Sequence, residues 1–225
     1  NEREQITGIV VNVACPSQVV EHKNFISSDY WGEVRKMLRK HFGEQLYVLS
    51  QCSSAGDQSP RDMIRRFKSY HEANLFDMEG LPELGKRISN AVIEEYEFAK
   101  KSIMYHAPFF HQVEILDFPT RTVTEKEYLE AKASFEEYVA SRNTRRYDAV
   151  EMAALHCRAG IMKRWETQDV NKIYSAEIHV VRLGNIAFAT NPFELFLDYG
   201  LCIKALSKAE QTFIVQLANH IGKYL

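Results

Sequence analysis

Two kinds of apolar pattern alternate along this chain, and that alternation limits the folds open to it. Ile6–Ala14 reads ITGIVVNVA, a β-branched run typical of a buried strand. Cys15-Pro16 ends the run, and a polar loop leads to Ser28-Asp29, both good N-cap types. From Tyr30 to Phe42 the spacing is helical, with Trp31, Val34, Met37, Leu38 and Phe42 near one face and Gly43 at the C-cap position. Leu46–Ser50 predicts a short strand. Arg61–Tyr70 predicts a short basic helix, and Leu81–Ile103 a long amphipathic one. Gln112–Phe118 alternates as a strand and stops at Pro119. Thr124 and Glu127 make a capping box for a helix running to about Ser141, and Arg146–Glu166 predicts another. Tyr174–Arg182 and Asn185–Thr190 flank Leu183-Gly184 as a hairpin. Phe193–Leu206 then reads as a helix and Gln211–Ala218 as a last strand. Strands alternate with helices in the first and last thirds, while the middle is helical. The pattern predicts an α/β fold, a mixed, mostly parallel sheet flanked by helices. Residues 1–225 are expected to form one α/β domain, with 81–167 as a helical insertion.

Composition narrows the class further. With 45% hydrophobic and 26% charged residues, the chain is neither disordered nor fibrous. Twenty-eight basic against thirty acidic side chains leave a net charge of −2, which argues against a globally basic nucleic-acid binder. No apolar run approaches the roughly 18 residues of a membrane span. Asn1-Glu2-Arg3-Glu4-Gln5 shows no signal peptide, and both ends read as cut, so the sequence is expected to be part of a longer catalytic domain. Cys15, Cys52, Cys157 and Cys202 have neither C-x-x-C nor zinc-finger spacing and are expected to be mostly buried thiols.

Open α/β sheets bind ligands beyond the carboxyl ends of their strands. The candidates are therefore Ala14-Cys15-Pro16-Ser17, Ala55-Gly56-Asp57-Gln58-Ser59-Pro60, Thr190-Asn191-Pro192-Phe193-Glu194 and Ala218–Tyr224. They offer a thiol, an Asp/Ser pair, a carboxylate and a phenol. Structural readings stand beside the functional ones. Ser59-Pro60 suits an N-cap and N1 pair, Asn191-Pro192-Phe193-Glu194 a capping-box variant, and Cys15 a buried thiol. His106, His111, His156 and the pair Glu177/His179 read as structural or surface residues. There is no G-x-S-x-G, H-E-x-x-H, P-loop or G-x-G-x-x-G motif.

Gly56-Asp57-Gln58-Ser59-Pro60 resembles the Gly-Asp-x-Ser-Pro signature of the neutral/alkaline ceramidase family. Other segments match in order. Ala14-Cys15-Pro16 with Ser28-Asp29-Tyr30-Trp31-Gly32 is similar to a His-Pro segment and its following Ser-Asp-x-x-Gly. Asn191-Pro192-Phe193-Glu194 is similar to a Pro-Gly-Glu stretch, and Asn219–Tyr224 to an Asn-x-x-x-x-Tyr stretch. The resemblance implies a zinc amidohydrolase that cleaves the N-acyl amide bond of ceramide or a related N-acyl lipid. It implies Cys15, Glu194 and Tyr224 as ligands of one zinc ion, and Ser59, Asp57 and Tyr224 as catalytic groups. Gly56 and Arg61 would bind substrate. Cys15 stands where the family has a zinc histidine, and Arg61 where it has Asn after Ser-Pro. The family's upstream His-x-His occurs nowhere in this chain.

The implied zinc would bring the pKa of its water from about 15.7 towards about 7, making hydroxide to attack the acyl carbonyl. The Tyr224 hydroxyl would help to hold the oxyanion. Two rivals stand beside this expectation. One is a non-catalytic ceramidase-like domain that binds a ligand or partner. The other is a serine amidase built on Ser59, which needs a neighbouring histidine. Expected partners are an N-acyl lipid or another amide and, peripherally, a membrane surface, with no nucleic acid. The family resemblance implies a secreted or periplasmic protein once a signal peptide is removed.

Overall fold

The computed structural model describes residues 5–60, 77–141 and 149–225. Among them the order is β1 (Gly8–Val13), α1 (Tyr30–Phe42), β2 (Tyr47–Cys52), α2 (Gly80–Ala99), β3 (Phe109–Pro119), α3 (Glu125–Ala140), α4 (Ala149–Thr167), β4 (Ile173–Leu183), β5 (Ile186–Thr190), α5 (Leu197–Leu206) and β6 (Gln211–Val215). The fold is mixed α/β, as the alternation predicts, but its strands form two sheets rather than one. β1 and β2 pair in parallel, and the second sheet has the order β3-β4-β5-β6. The chain divides into two compact units, one of residues 1–114 and 177–225, the other Ile115–Ala176. The predicted helix over 61–70 lies outside the described residues.

In the first unit, α1 and α2 cover one face of β1 and β2. Val11, Trp31, Val34, Leu38 and Leu46 are buried there, with Ile9, Val13, Val48, Leu84, Ile88 and Ile93 packed against them. Gly85 lets the helices approach, because a Cβ there would stand 2.5 Å from Cβ of Glu33. α2 packs on this core through Leu81, Leu84, Ile88, Val92 and Ile93. One correction follows. β1 is buried on one face only, its Val10 being 41% exposed, because helices cover a single side of this sheet.

Asp29 starts α1. Its carboxylate is buried and accepts from Tyr30 N at 2.9 Å and Val20 N at 3.0 Å, so one side chain caps the helix and pins the preceding loop. This dual role holds Asp29 at φ +51°, a conformation that costs a non-glycine residue about 1–3 kcal/mol. Tyr30, fully buried, donates its hydroxyl to Cys15 O at 2.6 Å and so ties the end of β1 to α1.

β4 and β5 form the predicted antiparallel hairpin, with Gly184 at φ +62° in its turn. β5 and β6 are parallel, from Ile186↔Gln211 to Thr190↔Val215. Between the sheets, Asn12 Nδ2 donates to Ile214 O at 2.8 Å and Gln216 N donates to Cys52 O at 3.1 Å. The carboxyl ends of β1, β2, β5 and β6 therefore meet at one rim.

The second unit rests on α3 and α4. The Thr124–Glu127 capping box forms as predicted, and Tyr128 stacks on Trp165 with ring centroids 5.5 Å apart. Arg164 donates to Arg121 O, Asn171 O and Thr120 Oγ1, satisfying three acceptors of the loops around α4.

The first unit's core predicts its own test. Leu38 is fully buried between α1 and the sheet. Leu38→Ala is expected to destabilise the chain by about 2–5 kcal/mol, read as a lower denaturant midpoint with an unchanged slope.

Candidate functional site at the strand ends

β6 ends at Val215, and the next residue, Gln216, is buried. Its Oε1 accepts from Ala55 N at 3.0 Å and Leu195 N at 3.2 Å, and its Nε2 donates to Cys52 Sγ at 3.4 Å. One amide thus joins the loop after β2 to the loop after β5. Sequence reading missed this residue, because a single Gln after a strand carries no motif.

The two loops touch directly. Gly56 N donates to Leu195 O at 2.8 Å, and Asp57 Oδ1 accepts from Leu197 N at 2.9 Å. The Leu197 amide holds the Asp57 carboxyl below the usual carboxylate range, with Gln58 adding to the effect. Gly56 allows the approach, since a Cβ there would lie 2.3 Å from Glu194 O. Its observed part is backbone packing against the Glu194 segment. Ser59 is exposed on the same loop, and Arg61 lies outside the described residues.

The capping-box reading of Asn191–Glu194 is corrected. Asn191 Oδ1 accepts from Phe193 N at 3.0 Å in an Asx turn, and α5 begins only at Leu197. The backbone between them pairs with the C-terminal segment instead. Glu194 N donates to Lys223 O at 2.8 Å and Leu225 N to Glu194 O at 3.4 Å, making a parallel bridge between Glu194 and Tyr224, and Phe196 N donates to Leu225 O at 3.0 Å. Tertiary pairing supplies these amides with acceptors that a helix start would have left to a cap.

Their side chains meet as well. A side-chain hydrogen bond to Glu194 raises the Tyr224 phenol above its ordinary pKa of 10, because the carboxylate favours the protonated donor. The segment leading there is strained, with Leu217, Asn219 and Lys223 at φ +55°, +69° and +60°. Non-glycine residues in that region concentrate where the chain is held for a purpose. Phe196 sits edge-on to Tyr224, centroids 6.2 Å apart.

Cys15 lies beyond β1, and Cys52, which sequence reading left without a role, ends β2. Burial pushes the Cys15 thiol up to about 11, and the neighbouring Cys52 and Asp29 push the same way. Burial also raises Cys52, and the Glu194 charge adds to it. Cys52 Sγ donates to Cys15 O at 3.7 Å, so the ends of β1 and β2 touch at the rim. All four cysteines are free, but Cys157 and Cys202 are exposed, which corrects the expectation of mostly buried thiols.

The resemblance implies a zinc ion, and the donors of the described residues do not make its site by themselves. Among the described residues no three His, Cys, Asp or Glu side chains come close enough to hold a metal. A ligating thiol must lose its proton, and burial opposes that at Cys15.

This two-sheet α/β scaffold is a ceramidase-like fold. It matches the crystal structure of neutral ceramidase from Pseudomonas aeruginosa with a TM-score of 0.61, at 14% identity over 97% of this chain. It matches a ceramidase complexed with C2 with a TM-score of 0.56, at 12% identity over 97% of this chain. The chain spans only 38% and 40% of those two chains. No protein-family model and no curated protein matches the sequence.

The loop contact and the pair are separately testable. Gly56→Ala is expected to cost about 1–3 kcal/mol in chemical denaturation, because the methyl meets backbone that cannot yield locally. Glu194→Gln removes the charge that holds the phenol protonated. Tyr224 is then expected to ionise at lower pH than in the parent, observed at its ring carbon by NMR titration.

Proposed function

We propose that this chain supplies the strand-end portion of a ceramidase-like amidohydrolase acting on the N-acyl amide of ceramide or a related N-acyl lipid. The single observation that supports this reading is the Glu194–Tyr224 pair, bridged through backbone and side chain and backed by the Gly56–Asp57 loop.

The chain's own groups suggest a division of labour. Tyr224 stays protonated at neutral pH and is 61% exposed, so it can exchange its bond to Glu194 for one to a scissile carbonyl. There it would donate to the oxygen as negative charge develops. Glu194 would accept a proton from an attacking water and return it to the leaving amine. Asp57 fixes the loop against Leu197, and Ser59 on that loop would meet the polar head of the substrate.

A second reading is a ceramidase-like domain that binds an N-acyl lipid without cleaving it. It is favoured by the burial of the Cys15 thiol, which disfavours its ionised, metal-binding form, and by the lack of a three-ligand group among the described residues. The test is release of fatty acid from N-acylsphingosine in detergent, with and without added Zn²⁺. The hydrolase reading expects turnover that falls about 10²–10³-fold in Tyr224→Phe and is lost in Glu194→Gln. Turnover that depends on zinc would mean that ligands beyond the described residues complete the centre. Saturable lipid binding with no fatty acid released would establish the second reading.

A further inference from the structure

Away from the rim, three polar side chains form a chain across β3 and β4. His111 Nε2 lies 2.9 Å from His179 Nδ1, and His179 Nε2 lies 2.9 Å from Glu177 Oε1. The strands are neighbours in the sheet. The two rings face each other almost edge to edge, with centroids 5.0 Å apart and planes 21° apart. His179 is further fixed by its backbone, whose N donates to Thr190 Oγ1 of β5 at 2.9 Å.

The tautomers follow from the bonds. A carboxylate only accepts, so His179 carries its proton on Nε2 and presents a bare Nδ1 to His111. His111 then donates from Nε2. The result is two imidazole nitrogens converging on one point, with a carboxylate orienting the inner ring from behind. That carboxylate–histidine arrangement is how proteins orient a ligating imidazole and raise its basicity.

We propose that His111 and His179 form a two-nitrogen site for a divalent transition metal of tetragonal preference, Ni²⁺ or Cu²⁺, with Glu177 as the positioning residue of His179. At metal–nitrogen distances of about 2.0–2.1 Å, two donors at a right angle stand about 2.9 Å apart, which matches the observed separation. The ion takes the place of the shared proton: His111 Nε2 gives that proton to solvent while its Nδ1 takes one up, so the ring stays neutral, its Nε2 lone pair becomes the donor, and the rings tilt towards the ion. His111 is exposed, so its ring has room to tilt and water can fill the remaining positions. The site shares no side chain with the strand-end rim, so it stands whatever the fate of the amidase reading.

The test is titration of the chain with Ni²⁺, following the ring-proton NMR signals of each histidine. One equivalent is expected to broaden His111 and His179 together, before any other histidine. His179→Gln is expected to weaken nickel binding at least tenfold and to leave the His111 ring sharp at that concentration. Glu177→Gln, which keeps both ligands, is expected to weaken it about 10–100-fold. Thermal melts confirm that each variant folds. The proposal is overturned if both rings stay sharp while other histidines broaden, or if His111→Gln binds nickel as tightly as the parent.

Discussion

The carboxamide of Gln216 is the contact on which the strand-end rim depends. It is buried, and its oxygen accepts from two backbone amides, Ala55 and Leu195, that are remote from it and from each other in sequence. A buried amide N–H left unpaired costs about 1–3 kcal/mol, so this one side chain accounts for two such penalties. Its nitrogen reaches Cys52 at the end of β2, and its backbone N reaches the same residue's carbonyl. The parallel pair β1–β2 and the parallel pair β5–β6 are thereby held end to end.

Everything around Glu194 follows from that junction. With Leu195 pinned, the Asn191–Phe196 segment cannot coil into a helix, and its amides turn to the carbonyls of Lys223 and Leu225. Glu194 and Tyr224 are brought side by side as a consequence, at the expense of three left-handed residues in the 217–223 stretch. Gly56 then closes the arrangement, since only a residue without Cβ lets that loop lie on the Glu194 carbonyl. The rim is polar, strained and tightly cross-bonded, while the apolar core of the first unit lies under α1 and α2. Rigidity at the site and stability of the fold therefore come from different parts of the chain.

Much of the secondary structure was legible because its signals are local. α1 runs over the predicted Tyr30–Phe42, Asp29 caps it, the Thr124–Glu127 box forms and the Gly184 hairpin closes as expected. Errors fell where long-range pairing outweighed a local signal. Asn191-Pro192-Phe193-Glu194 has helix-start chemistry, yet a bridge to Tyr224 claimed its backbone. The apolar run of β1 suggested a buried strand, but only one face is covered. The Gly56–Pro60 motif was visible, whereas its anchors Gln216 and Cys52 were not, because a hydrogen-bond partner over 160 residues away leaves no trace in spacing.

By itself, then, the sequence determined the order and type of most elements, since periodicity, caps and turn glycines act within a few residues. It also determined which residue types stand after each strand. Which strands join, that they form two sheets, and that Glu194 meets Tyr224 while His111 meets His179 were decided only by tertiary structure. Those contacts depend on which backbone groups still lack partners once the chain has collapsed, and that is a property of the whole fold rather than of any segment.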